Sequence, residues 1–406
     1  MSVVIGIIIG ILMLMFLVTM HELGHFLAAK RNGVEVEEFG IGFMPRAIAW
    51  RKVNGKWRKL TKREWNNPPG TGTILSLNWL PIGGFCQMKG ESDADTEKGS
   101  FGAASFWKKT KILFAGVMMN WLVAAVILTI LAFVGMPHFI EEQFTMPSDT
   151  RVLVKTPVTL TSVVDDSPAK MAGMEAGDII QQARVLNGDE NERYQILTTD
   201  DLLTFDNNHK GQTVYFTFER GGESKMAQVT LNGDDAEYVL GAGITGEAYY
   251  QSSWSSPIVG IGTTLQITGE TFRGVGKLLV NLVTGAVRQL NPNENVREEG
   301  AKAIGEAGDS VAGPVGIVGV LFPAFVSSGG LNLFFLVALI SISLACMNVL
   351  PIPALDGGRW LLIAIYRLRK KKLTKEKEEK IVGRAFMAIL AIAVIVTIMD
   401  IIRLIK

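Results

Sequence analysis

Two histidines and a glutamate lie within the apolar stretch "FLVTMHELGHFLAAK", residues 16–30. On a helix, His21 and His25 are about one turn apart and share a face, so both imidazoles could bind one Zn²⁺. Glu22 could then act as general base on a water at that metal. The alternative is a helix-end cluster satisfied by polar neighbours. Unpaired polar groups are costly in an apolar span, which favours the metal site.

A catalytic zinc needs a third protein ligand, and the residues after the motif do not supply one. The continuation "FLAAKRNGVE" lacks the third histidine of H-E-x-x-H-x-x-G-x-x-H. The depth of each aspartate in the membrane, compared with that of His25, selects the candidate for the third ligand. His25 precedes Lys30 by five residues, or about 7 Å of helix. Asp356 precedes Arg367 by eleven residues, which places it in the same half of the bilayer. Asp400 is expected near the opposite face, so the predicted ligands are His21, His25 and Asp356.

The composition indicates a membrane protein with a soluble part. Of the 406 residues, 48% are hydrophobic, and the mean hydropathy is +0.27. Residues 30–111 carry 15 Lys/Arg against 8 Asp/Glu, and residues 367–384 carry 9 against 3. Residues 136–330 are acidic instead, with 13 against 25. The basic residues adjoin apolar spans, so nucleic-acid binding is not indicated. Cys86 and Cys346 are interpreted as free thiols.

Four apolar stretches are long enough to cross a bilayer, which takes about 20 helical residues. The first has no basic region before it and no cleavage site, so it is interpreted as a span and not a signal peptide. The positive-inside rule places the two basic loops in the cytoplasm, and the acidic block and both termini outside. The four stretches are Val3–Ala29, Ile112–Val134, Leu331–Tyr366 and Ala385–Leu404.

The acidic block contains strand-like runs around "SPAKMAGMEAGDII", which predicts a short helix, a Gly-Asp turn and a strand. This run resembles the PDZ fold, whose members bind extended peptides by strand addition. A generic small β domain is the alternative. Residues 263–287 have helical apolar spacing and are expected either to lie along the membrane surface or to form a packed connector.

The fold class predicted is therefore an α-helical polytopic membrane protein with four transmembrane helices, membrane-associated β-hairpins and one inserted PDZ-like α/β domain. Its predicted regions are a first transmembrane helix with the H-E-x-x-H motif (1–30), a cytoplasmic-side β-hairpin or membrane re-entrant region (31–111), a second transmembrane helix (112–135), an extracytoplasmic PDZ-like domain (150–248), a membrane-associated amphipathic connector (249–330), a third transmembrane segment with N-x-x-P-x-P-x-L-D-G (331–366) and a fourth transmembrane helix (384–406).

Asn348 precedes the broken run "LPIPALDGG" and has two possible roles. Its amide could hydrogen-bond the backbone of a substrate. Alternatively, it could satisfy carbonyl groups freed by Pro351 and Pro353, which lack backbone N–H groups. The sequence alone favours neither role.

The motifs together resemble the site-2 proteases of peptidase family M50, in the branch of the bacterial regulator of sigma-E protease. The runs that carry the resemblance are "HELGH", "GIGFMPR", "LNWLPIGGFCQMKGE", "FAGVMMNWLVA", "GPVGIVG" and "NVLPIPALDGG". The resemblance implies an intramembrane zinc metalloendopeptidase with Zn²⁺ on His21, His25 and Asp356, Glu22 as catalytic acid/base and Asn348 in substrate binding.

The resemblance also implies substrates, partners and location. The expected substrates are unfolded transmembrane segments of single-span membrane proteins, such as anti-sigma factors or signal-peptide remnants, cut within the lipid bilayer after an upstream site-1 protease. The expected location is the bacterial inner membrane, with the active site towards the cytoplasm and the PDZ-like domain as an outer size filter. Two departures are noted: room for only one PDZ-like domain, and Gly116-Val117 where the family often has Gly-Pro.

Two rival functions fit the sequence less well. A catalytically silent scaffold would be expected to lose the metal-binding set, which is present here. A transporter would be expected to show internal repeats and a polar path, whereas here the polar residues converge at one depth.

Overall fold

The computed structural model describes residues 2–140, 142–187, 190–309 and 313–405. Positions 1, 141, 188–189, 310–312 and 406 of the predicted regions lie outside the described residues. The chain divides into two compact units, which are described separately. The first contains residues 1–127 and 264–406, and the second contains residues 128–263.

Both units contain helices and strands, but helices dominate the first unit and strands dominate the second. The helices are α1 (Ser2–Arg31), α2 (Phe106–Val134), α3 (Pro168–Met171), α4 (Thr199–Asn208), α5 (Ser256–Gln289), α6 (Glu294–Asp309), α7 (Pro314–Gly316), α8 (Phe322–Ser328), α9 (Gly330–Val349), α10 (Asp356–Leu368) and α11 (Lys375–Ile405). The strands are β1 (Val36–Val53), β2 (Lys56–Lys59), β3 (Thr71–Met88), β4 (Met136–Pro137), β5 (Arg151–Val163), β6 (Ile179–Asn187), β7 (Glu190–Gln195), β8 (Thr213–Arg220), β9 (Glu223–Thr230) and β10 (Ala242–Gln251).

Within the described residues, four helices are long and apolar enough to cross a membrane: α1, α2, α9 and α11. Several bounds differ from the sequence-based regions. The helix α2 begins at Phe106, before the predicted start at 112. The helix α11 begins at Lys375, before the predicted start at 384, because the charged run before the span is itself helical. The predicted third segment, 331–366, consists of two helices, because α9 ends at Val349 and α10 begins at Asp356.

A three-stranded antiparallel sheet follows α1, with the strand order β2-β1-β3. The strand β3 turns back on itself, so residues 38–41 of β1 pair with residues 74–77 on one side and 84–87 on the other. Apolar side chains near the turn are exposed, among them Phe43, Trp79 and Ile82. An exposed apolar tip of this kind suits contact with lipid.

A buried ion pair holds this sheet together. The Glu38 side chain is 2% exposed and pairs with Arg46, whose Nε donates to Glu38 Oε1 at 2.9 Å. The hydroxyl of Ser76 donates to the same oxygen at 2.6 Å, and Arg46 also donates to the carbonyl oxygen of Trp65 at 2.8 Å. The charges are therefore buried with their hydrogen bonds satisfied, the condition under which a buried pair is tolerated.

The second unit is built on a sheet with the strand order β4-β10-β5-β6-β8-β9, and β7 pairs with β6. Its core contains the fully buried side chains of Leu160, Met174, Ile180 and Phe216. The "SPAKMAGMEAGDII" run forms α3 and then β6, as predicted by its helix, turn and strand pattern.

Two side chains explain the local structure of that run. Ser167 caps α3, because its side chain accepts from the backbone N–H of Lys170. Asp178 is fully buried and accepts from the backbone N–H of Glu175 at 2.9 Å. The guanidinium of Arg220 donates to both Asp178 oxygens, at 2.6 and 2.7 Å, and so ties the turn to β8.

The segment from α7 to α8 packs against α1 through small residues of that helix. A Cβ added at Gly10 would lie 2.8 Å from the Phe322 ring, and one added at Gly6 would overlap Pro323. Small residues allow such close approach between helices in membranes. The α7 N-terminus is held separately by Asp400 of α11, which accepts from the backbone N–H of Gly316 at 2.7 Å.

Candidate metal centre

The three predicted ligands lie together in the first unit. His21 and His25 project from α1 and are 8% and 6% exposed, and Asp356 is the first residue of α10. Their ligand atoms form one potential metal-binding group. Asp356 lies more than 330 positions after the two histidines in the sequence, and the fold brings it into contact distance of them.

The three ligand atoms form a nearly equilateral triangle. His21 Nε2 and His25 Nε2 are 3.1 Å apart, and Asp356 Oδ2 lies 3.1 Å from the former and 3.3 Å from the latter. A tetrahedral zinc with bonds of about 2.0–2.1 Å has neighbouring ligand atoms about 3.3 Å apart. Asp356 Oδ2 is buried and forms no hydrogen bond of acceptable geometry among the described residues. The residues present therefore fit a shared zinc ion.

A tight turn places Asp356. After α9, the chain passes through the two prolines of "PIPALDGG" and starts α10 without a side-chain cap. A Cβ added at Gly357 would overlap the backbone of Val349, and one added at Gly358 would overlap the backbone of Ile352. Only glycine permits this backbone approach, so the Gly-Gly pair is what lets the turn close and bring Asp356 towards α1.

Groups on α2 orient the two imidazoles. His25 Nδ1 donates to the carbonyl oxygen of Ile112 at 2.8 Å, which leaves Nε2 with its lone pair for a metal. The Asn120 side-chain amide lies 3.5 Å from His21 Nδ1, and its buried Oδ1 has no other partner among the described residues. Amide oxygen and nitrogen are assigned by their surroundings. With Oδ1 facing the ring, Asn120 would accept the Nδ1 proton and leave His21 in the same tautomer.

Two glycines allow α1 and α2 to approach at this depth. A Cβ added at Gly116 would lie 2.7 Å from His21 Nε2 and would also overlap His25 Nε2. A Cβ added at Gly24 would overlap the carbonyl of Ala115. The absence of a side chain at Gly116 therefore leaves the space next to the ligand atoms open.

Glu22 lies beside the ligands and next to β3. Its carboxylate interacts electrostatically with both histidines and with Asp356, and it accepts a hydrogen bond from the backbone N–H of Cys86. The same part of β3 runs along α1, since a Cβ added at Gly84 would lie 3.4 Å from Thr19 Oγ1. An ordered carboxylate beside two imidazoles and a third ligand is the arrangement that metal-dependent peptide hydrolysis requires.

Comparison with known proteins assigns the chain to a family. The profile of peptidase family M50 matches residues 9–393. The chain belongs to peptidase family M50. A zinc metalloprotease of Clostridium perfringens is 29% identical over 98% of both chains, and one of Clostridium acetobutylicum is 28% identical over 98% of this chain and 97% of its own. The zinc metalloprotease RasP of Shouchella clausii is 25% identical over 96% of each.

Membership of family M50 confirms the resemblance to site-2 proteases. The protein is a zinc metalloprotease, and zinc is its expected cofactor. Its four apolar helices and its family make it a multi-pass membrane protein that performs intramembrane proteolysis on membrane-protein substrates.

The metal-binding group of this M50 protease does not include Asp400, His138, His209 or Asn348. Asp400 contacts the start of α7 and is not part of the metal-binding group. In the second unit, His138 lies 3.0 Å from Asp200, and His209 donates to the carbonyl oxygen of Phe205. Asn348 Nδ2 donates to the carbonyl oxygen of Leu344, one turn earlier in α9, at 3.0 Å.

Sequence reasoning did not find the residues of α2 and β3 that support this M50 site. Asn120 could have been found, because a polar side chain inside an apolar span signals a buried partner. Gly116 was noted only as a departure from Gly-Pro. The carbonyl of Ile112 and the N–H of Cys86 carry no side-chain signal, because any residue provides them.

Proposed function

We propose that this protein is an intramembrane zinc endopeptidase in which His21, His25 and Asp356 are the metal ligands and Glu22 is the catalytic acid/base. The observation that carries the proposal is the ligand triangle, whose sides of 3.1, 3.1 and 3.3 Å suit one tetrahedral zinc. Two of its members project from an apolar helix, where polar groups without a shared partner would be strongly unfavourable.

When bound, zinc supplies Lewis acidity, which activates water and polarises a peptide carbonyl. The proton transfers are assigned to Glu22. Its carboxylate takes a proton from the attacking water and later gives that proton to the leaving amine nitrogen. The backbone N–H of Cys86 holds one side of the carboxylate and so directs it during both transfers.

The substrate must be extended before its backbone can be cut, because the carbonyls of an intact helix are hydrogen-bonded internally. The part of β3 at residues 84–87 pairs with β1 on one side and faces α1 on the other. A substrate strand added beside this edge would be held extended next to Glu22. Asn348 is proposed to assist substrate binding, although its Nδ2 group already donates to Leu344.

The finer assignments are proposals as well. The physiological substrates are proposed to be single-span proteins, such as anti-sigma factors or signal-peptide remnants, delivered after an upstream site-1 cut. Residues 150–248 are proposed to be a PDZ-like domain outside the bacterial inner membrane, where it would exclude substrates with bulky outer domains. The charge distribution supports this orientation, with the active site towards the cytoplasm.

The decisive experiment separates the base from the ligands. In Glu22→Gln, zinc content per folded protein should stay at the wild-type level, while cleavage of a model single-span substrate in proteoliposomes should be lost. Wild-type-like cleavage by this variant would refute the assignment of Glu22. Asp356→Ala should lose zinc, and the matched variant Asp400→Ala should keep it. Equal zinc retention in the two aspartate variants would refute the ligand set.

A further inference from the structure

A cavity of about 540 Å³ lies in the first unit, away from the metal-binding group. It opens where α2 begins, where α10 ends and where α11 begins, and the loop around Asp93 forms its remaining wall. Nothing in the proposed proteolytic mechanism uses this cavity.

The cavity is strongly basic. Its lining includes five cationic side chains and a single carboxylate, that of Asp93, which pairs with Lys109. The other four cations form no ion pair among the described residues: Arg367, Lys371, Lys372 and Lys375. Like charges at short range repel one another, so an anion in the cavity would stabilise this arrangement.

Packing anchors the backbone that carries the exposed cationic side chains. Leu373 is 3% exposed and is buried in the core beside Phe101 and Ile112, so the linker on both sides of it is fixed. The guanidinium of Arg367 lies 4.9 Å from the centre of the Phe106 ring. The cavity is therefore a formed site, because its basic residues are attached to a packed core.

The cavity also has an apolar wall, formed by side chains that include Phe106, Ile363 and Tyr366. Trp107, next to this wall in sequence, is 70% exposed, and tryptophan is enriched where membrane spans meet the interface. A ligand that matches both surfaces has a phosphate group for the cations and an acyl chain for the apolar side. Anionic lipid headgroups are recognised by basic clusters at the ends of spans.

We propose that this cavity binds the phosphate headgroup of an anionic membrane lipid. Lys371 and Lys372 contact the headgroup, and Lys375 contributes at the start of α11, where the backbone N–H groups of a helix N-terminus also attract anions. The acyl chains leave along α2 and α10 into the bilayer.

The test uses the full-length protein, delipidated in detergent and titrated with phosphatidylglycerol, with bound lipid counted by native mass spectrometry. The wild type should retain one phosphatidylglycerol more tightly than phosphatidylcholine. Lys371→Gln with Lys372→Gln should weaken that binding about 30-fold, at about 5.4-fold for each lysine. The matched control replaces Lys377 and Lys380, exposed lysines of α11 that do not line the cavity, and should change binding less than about threefold.

Three outcomes would overturn the proposal. The first is equal retention of phosphatidylglycerol by the wild type and the Lys371/Lys372 variant. The second is an equal loss in the control variant, which would mean that only net charge matters. The third is binding of inorganic phosphate in a parallel titration with no preference for the lipid, which would assign the cavity to free phosphate. Thermal melting of each variant checks that the fold is retained.

Discussion

A methyl group at residue 116 should abolish tight zinc binding without removing any ligand. In Gly116→Ala, the new Cβ would lie 2.7 Å from His21 Nε2 and would overlap His25 Nε2. Non-bonded heavy atoms are comfortable at about 3.5 Å or more, so the rings would have to retreat by about 0.8 Å. Metal–ligand distances tolerate about 0.2 Å. The affinity for zinc should therefore fall at least as far as the 10- to 100-fold typical of disturbed supporting residues.

The assay is a competition titration of the purified protein against a zinc chelator. Gly383→Ala is the matched control, since a Cβ at that position of α11 meets no atom within 4 Å. Both substitutions favour the helix by about 1 kcal/mol, because alanine is the better helix former. A loss of zinc affinity in Gly116→Ala alone therefore cannot be assigned to helix propensity.

A graded series makes the test sharper. Gly116→Val adds more volume than Gly116→Ala and should lose zinc more completely, while Asp356 and both histidines remain. Wild-type zinc affinity in Gly116→Ala, with cleavage intact, would refute the view that open space at Gly116 is what admits the metal.

Substitutions at three further residues test individual side chains. Asn120→Leu should lower zinc affinity about 10- to 100-fold because His21 loses its orienting partner, whereas Asn120→Asp should retain it; equal affinities in the same chelator titration would contradict this. Glu38→Gln leaves Arg46 without its carboxylate and should cost about 3 kcal/mol or more, seen as faster amide hydrogen exchange in β1 and β3; unchanged exchange would contradict the role of the pair. Burial raises the pKa of Asp206 from 3.8 to about 7, so the contribution of its protonated form to stability is fully present below about pH 3.8 and is lost as the pH rises from there to about 7. The protection factor of the α4 amides, which is the intrinsic exchange rate divided by the observed rate, should therefore fall between about pH 4 and pH 7 in the wild type. Asp206→Asn should remove that fall, and an identical pH dependence of the protection factor in both proteins would refute it.

The grouping of His21, His25 and Asp356 could be predicted because the depth of a residue in the membrane can be counted along the sequence from the end of its apolar stretch. Lys30 and Arg367 mark where two apolar stretches of the sequence end, and counting back from each predicts similar depths for His25 and Asp356. The prediction of a shared site survives although the second stretch consists of two helices, α9 and α10. Which helices lie side by side in the membrane plane cannot be predicted in this way. Here it is decided by Gly24 and by the absence of a side chain on α2 beside the histidines.

The sheet beside α1 shows a different limit. Its alternating sequence predicts hairpins, but no local pattern says that β3 turns back and pairs with both sides of β1. That arrangement depends on the turn near Gly83 and on the buried Glu38–Arg46 pair, whose partners are eight residues apart and look like surface charges in the sequence. The position of Cys86 beside Glu22 follows only from the folded sheet.

Asp356 of α10 and Asp400 of α11 show two ways in which a carboxylate can be accommodated among apolar helices. Asp356 meets two imidazole nitrogens, and its Oδ2 has no hydrogen-bond donor of acceptable geometry among the described residues. Asp400 instead accepts from the backbone N–H of Gly316 at 2.7 Å, at the start of α7, where helix N–H groups lack partners of their own. A carboxylate that accepts hydrogen bonds from backbone amides needs no cation. A carboxylate that faces only imidazole lone pairs has no donor and therefore needs a cation. The same cost of charge in an apolar environment therefore explains why Asp400 anchors α7 and supports the proposal that Asp356 is a metal ligand.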